Sequence, residues 1–92
     1  MDNPPVSAVI SVAIVDDDPE VLSNLSWMVD QAEGYRCTGS YASCDVLFSG
    51  LAEPLPDVIL MDIGLPVKSG IECTRELKRM HPGIRIVMQT VY

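Results

Sequence analysis

The sequence predicts a three-layer α/β domain on a parallel sheet, and three observations carry that expectation. Short β-branched apolar runs recur along the chain, segments with helical spacing alternate with them, and proline or glycine marks the joints. Runs apolar on every residue are the signature of strands covered on both faces, and alternation with helices implies right-handed βαβ crossovers. Ninety-two residues leave room for one core, so a single domain is expected over 9–92 behind a short tail, 1–8.

Val9 to Val15 (VISVAIV) ends abruptly in three acids and reads as the first strand. Pro19 suits the first turn of a helix with Asp18 as its N-cap, and Leu22, Leu25, Met28 and Val29 recur at helical spacing before Gly34. Tyr35 to Tyr41 (YRCTGSY) is polar enough to predict an edge strand, and Ser43 to Leu51 a short helix. After Glu53-Pro54-Leu55-Pro56, the run Asp57 to Met61 predicts a buried third strand leading to Asp62. A helix from about Ile71 to Met80 is stopped by His81-Pro82-Gly83, and Ile84 to Thr90 makes a fourth strand.

Composition narrows the function. Thirteen acids against six bases give a net charge of -7, which disfavours nucleic acid or an anionic membrane as a direct partner, since either needs a basic face. The apolar run at Val6 to Val15 is broken by Ser7 and Ser11 and follows an acidic, proline-bearing start, so neither a secretory signal nor a membrane span is expected. Cys37, Cys44 and Cys73 lack CxxC or metal-ligand spacing and read as three reduced, mostly buried thiols of a cytoplasmic protein. His81, at a helix end, is expected to meet the last carbonyls, and the methionines and Trp27 to pack.

In a parallel α/β sheet, function gathers at the carboxyl ends of the strands. That edge receives Asp16, Asp17 and Asp18 from the first strand, Asp62 from the third and Thr90 from the fourth. Several carboxylates in one pocket repel unless a cation neutralises them, and Mg²⁺ suits oxygen ligands of this kind. With the charge screened, Asp62 can attack a phosphoryl donor and become an acyl phosphate, while Thr90 can donate a hydrogen bond to a phosphoryl oxygen.

Val15-Asp16-Asp17-Asp18-Pro19, Pro56 through Pro66 (PDVILMDIGLP), Gly70 and Thr90 together resemble the receiver domain of two-component response regulators, over about Val9 to Tyr92. The resemblance implies a flavodoxin-like sheet and a phosphoacceptor rather than an enzyme. By it, Asp16 and Asp17 position Mg²⁺, Asp62 is phosphorylated by the phosphohistidine of a sensor histidine kinase, and Gly64 offers a backbone carbonyl to the metal. Pro66 and Gly70 shape the loop beyond Asp62, and Thr90 is the switch hydroxyl.

A complete receiver continues through a further helix, a fifth strand ending in lysine, and a closing helix, whereas the chain ends at Tyr92. The expectation is therefore a truncated receiver, cut from a longer protein, whose fourth strand is an open edge and which associates with a second copy. Lys68 is read as a solvated loop residue and not as the missing lysine. The alternative is a phosphorylation-impaired scaffold that acts only through protein association. A phosphatase using an aspartyl phosphate needs a second acid two residues after the nucleophile, where Gly64 stands, and nucleotide binding is opposed by VDDDP in place of a glycine-rich turn.

Overall fold

Four parallel strands alternate with three helices in the computed structural model, which describes residues 9–89. The elements are β1 (Ile10–Val15), α1 (Pro19–Gln31), β2 (Tyr35–Tyr41), α2 (Cys44–Gly50), β3 (Val58–Asp62), α3 (Gly70–Met80) and β4 (Arg85–Gln89). The predicted tail, 1–8, and the predicted strand-end residue Thr90 lie outside the described residues.

The strand order is β2-β1-β3-β4, every pair parallel. The chain steps one way from β1 to β2 and the other way thereafter, so right-handed crossovers put α1 on one face and α2 and α3 on the other. Packing agrees. Ala13 and Val15 of β1 join Ile59 and Met61 of β3 in a core closed by Leu47 of α2, Leu77 of α3 and Leu65. Val12 and Ile14, of opposite parity, are buried outside that cluster, so β1 is covered on both faces as its continuous apolar run predicts. β3 differs from expectation: Ile59 and Met61 are buried, but Val58 and Leu60 are only partly so. They belong to the α1 face, where α1 itself buries none of its residues completely.

Local chemistry explains the joints. Asp18 caps α1 as expected, its carboxylate accepting from the Glu20 and Val21 amides, with Pro19 in the first turn. Ser43 caps α2. α3 begins one residue earlier than predicted because Ser69 and Glu72 form a reciprocal capping box, a signal present in the sequence. At the other end, the His81 amide bonds back to Leu77, but the side chain that satisfies carbonyls there is Lys78, at 3.1 Å from Pro82 O and 2.6 Å from Ile84 O. β2 is an edge strand, as its polarity predicts, and its register against β1 slips between Val12 and Ala13. Gly39 and Gly50 leave the space taken by the Tyr41 ring, which a Cβ at either would strike.

Where β1 and β3 begin, Ser11 and Asp57 are tied to each other through both side chains and backbone amides. The Ser11 amide and hydroxyl reach Asp57 Oδ2 at 2.9 and 3.1 Å, and the Asp57 amide returns to Ser11 Oγ at 2.9 Å. This clamp fixes the register of the two central strands at the end remote from Asp62. Among the described residues, no helix is long and apolar enough to cross a membrane.

Leu77 carries the α3 side of the core and is fully buried. Leu77→Ala is expected to lose about 2–5 kcal/mol of stability, read as a fall in the urea midpoint at unchanged slope. A loss below about 0.5 kcal/mol would mean that α3 is not packed on the sheet as described.

Candidate metal centre

β1 and β3 are neighbours at the point where the sheet reverses its winding, so the loops leaving them diverge to opposite faces and open a crevice. Asp16 follows β1 directly, and Asp62 is the last residue of β3. Asp16 is 4% exposed, with its amide held by Tyr41 O at 3.0 Å and its Oδ1 accepting the Asp18 amide at 2.9 Å. The acidic triplet thus divides: Asp18 turns to the start of α1, and Asp16 and Asp17 face Asp62. Asp16, Asp17 and Asp62 each offer one carboxylate oxygen to a group whose members all lie within 4.8 Å of one another.

The electrostatics of Asp62 report this crowding. Loss of water raises its pKa above the ordinary carboxylate value; the Gly64 amide, at 3.0 Å from Oδ1, pulls the other way, and the charges of Asp16 and Asp17 push it up again. Nothing cationic answers them among the described ion pairs. Lys68 Nζ lies 2.9 and 3.1 Å from the two carboxylate oxygens of Glu76, so its ammonium is held on α3, in accord with its reading as a loop lysine.

The loop after Asp62 is tied down at several points. The Ile63 amide bonds to Gln89 O and the Gly70 amide to Ile63 O, each at 3.1 Å. A Cβ on Gly70 would run into the carbonyl of Asp62, so only glycine lets α3 start this close to the end of β3. Val67 takes a left-handed φ of 66° in the exposed part of the loop. Of the residues singled out from sequence, Asp16, Asp17 and Asp62 come together and Gly64 contacts Asp62 through its amide. Thr90 is outside the described residues, although Gln89 before it pairs with Asp62 in the sheet register.

The expectation that Trp27 packs is not met, since it is 66% exposed on α1, and the expectation for the cysteines is overturned. Cys44 and Cys73 are not separate thiols but a disulfide between α2 and α3, and only Cys37 is free. Both are buried, as expected, but their bond is not legible locally, because the two lie 29 residues apart on different helices and no local spacing reports their meeting.

The family model of the response regulator receiver domain matches residues 12–92. The chain belongs to that family. It is 40% identical over 83 residues to the response regulator GacA of Pseudomonas aeruginosa, covering 89% of this chain and 38% of the relative. It is 32% identical over 84 residues to the DNA-binding transcriptional regulator NtrC of Escherichia coli, covering 88% of this chain and 17% of the relative. The chain thus spans well under half the length of these regulators. Among solved structures it resembles a LuxR-family response regulator from Aurantimonas (TM-score 0.83, 27% identity, covering 91% of this chain and 60% of that one). It also resembles the BeF3-activated DrrB receiver domain (TM-score 0.75, 25% identity, covering 91% of this chain and 68% of that one). The receiver fold with its parallel flavodoxin-like sheet is therefore established, and the family is regulatory.

The raised pKa of Asp62 sets a pH dependence. A carboxylate whose folded pKa exceeds its unfolded value favours folding below the unfolded value and forfeits that contribution as pH rises through the folded one. In chelator and without divalent ions, Asp62→Asn should therefore have a higher denaturation midpoint than the parent receiver domain at pH 7. The gap should close as pH falls below 3.8, the ordinary carboxylate value. Equal midpoints at neutral pH would show that Asp62 is not crowded by its neighbours.

Proposed function

We propose that this receiver domain is a phosphorylation-dependent signal input in which Asp62 accepts a phosphoryl group from the phosphohistidine of a sensor histidine kinase, with Mg²⁺ as cofactor. One observation carries the reading: carboxylate oxygens from two adjacent strand ends lie within 4.8 Å of one another at the switch point of the sheet.

The residues fit a hard divalent cation. The donors are all oxygen, their mutual repulsion is uncompensated by any described ion pair, and the pKa of Asp62 is raised chiefly by loss of water, with the charges of Asp16 and Asp17 adding to it. Asp16, Asp17 and Asp62 would hold Mg²⁺, with the Gly64 carbonyl as a further ligand. The ion would supply neutralisation of the negative charge that a phosphoryl group brings into the crevice. In the transfer, an Asp62 oxygen forms the bond to phosphorus as the bond from phosphorus to the histidine nitrogen breaks, leaving an acyl phosphate and a free imidazole. The Gly64 amide, already directed at Asp62 Oδ1, holds the carboxylate in one orientation for that attack. Thr90 is assigned the switch: its hydroxyl donates to a phosphoryl oxygen and draws the end of β4 toward the site. The proposal places the protein in the cytoplasm, where a phosphohistidine donor and Mg²⁺ are both at hand.

Incubation with Mg²⁺ and a small phosphodonor, followed by intact-mass measurement, should show one added phosphoryl group that is absent from Asp62→Asn and from samples with chelator. In the same preparations, Mg²⁺ at about 100 times its Kd should stabilise the parent chain by roughly 2.7 kcal/mol, and much less after Asp17→Asn. An adduct that persists in Asp62→Asn would defeat the assignment. Mg²⁺ stabilisation without any adduct would favour the scaffold alternative, in which the fold acts through protein association alone.

A further inference from the structure

We propose that Cys44 and Cys73 are a reversible redox bridge that ties α2 to α3 and thereby restrains the loop behind Asp62. Cys44 is the first residue of α2 and Cys73 lies in the first turn of α3. Their Cα atoms are 5.8 Å apart, inside the range that a bridge requires without backbone movement. Both side chains are buried, at 2% and 0% exposure, in the core that also holds Leu47, Leu65 and Leu77.

The position gives the bridge leverage on the site. Gly70, one turn before Cys73, bonds Ile63 O and stands against the Asp62 carbonyl. Leu65, inside the loop, packs in the same core as both sulfurs. Motion of the start of α3 must therefore carry Ile63 and Leu65 with it. With the thiols reduced, α2 and α3 are joined by apolar packing, which permits sliding; with the bond closed, their N-terminal ends are fixed to each other.

The chemistry balances with hydrogen peroxide as oxidant. One thiolate attacks a peroxide oxygen, the O–O bond breaks, and a sulfenic acid and water result. The second thiolate then attacks that sulfur and expels a second hydroxide; each hydroxide takes up one of the two thiol protons and leaves as water, and two electrons pass from the sulfurs to peroxide. A dithiol reverses the step through a mixed disulfide and is itself oxidised. Burial of both sulfurs means that each direction proceeds through local opening of the α2–α3 layer. Cys37, on β2, bonds its own strand at Gly39 O and takes no part.

The test needs no phosphate transfer and so stands apart from the role proposed for Asp62. The full chain is treated with peroxide or with a dithiol, alkylated in denaturant and mapped by mass spectrometry. Amide hydrogen exchange is followed over residues 63–77. Peroxide should give a Cys44–Cys73 cross-linked peptide, and the dithiol should return both as alkylated thiols. The bridged form should exchange about tenfold more slowly over that segment, a difference abolished in Cys44→Ala or Cys73→Ala and retained in Cys37→Ala. If the alanine variants do not fold, comparison of the parent chain in its two redox states decides alone. Two alkylated thiols after peroxide, a bridge that the dithiol leaves intact, pairing through Cys37, or equal exchange in the two states would each overturn the proposal.

Discussion

Everything in this receiver domain is arranged around a repulsion. Three carboxylates, from Asp16, Asp17 and Asp62, are held closer to one another than free chains would bring them. The sheet enforces this because β1 and β3 are hydrogen-bonded neighbours, and β1 is packed on both faces by Val12 through Val15. Moving either acid away would mean slipping a buried strand, and a slip of one residue would turn its whole apolar set to the wrong face. The Ser11–Asp57 clamp resists that slip from the far end of the same two strands. The crowding thus survives because the core outweighs it.

The same constraint explains the shape of the loop beyond β3. The path from Asp62 to a larger element is short. Gly70 sits against the Asp62 carbonyl, the capping box of Ser69 and Glu72 fixes the direction of α3, and Leu65 anchors the loop in the core. Its outermost part, at Pro66 and Val67, is exposed, and Val67 takes an unusual φ. The loop is therefore anchored at both ends and free at its tip.

Much of this was legible in the sequence, for identifiable reasons. Strand β1 and its acidic end were clear because a β-branched run followed at once by Asp16, Asp17 and Asp18 has few other readings. The division of labour within that triplet was half legible: the proline after Asp18 marks a cap, but that Asp16 and Asp17 face Asp62 depends on the order of strands. Two features were hidden by their nature. The partial exposure of Val58 and Leu60 follows from how much of the α1 face is covered, which no property of the run VILMD reveals. The Cys44–Cys73 pairing arises from the crossing of two helices and leaves no trace in spacing. Features written in neighbouring residues were readable, and features made by distant ones were not.

The two aspartates that flank β3 show why chemistry belongs at one end of the strand and not the other. Asp57, just before it, takes an amide and a hydroxyl from Ser11, and these bonds hold its pKa below the ordinary value. Its negative charge is satisfied, so it has little tendency to bind a cation, a proton or phosphorus. Asp62, at the other end, is partly withdrawn from water, receives the single amide of Gly64 and faces two more carboxylates, so its pKa moves up. The residue type is the same and the strand is the same. What differs is whether the surrounding hydrogen bonds meet the demand of the charge, and a carboxylate left in deficit is the one that a metal ion can relieve.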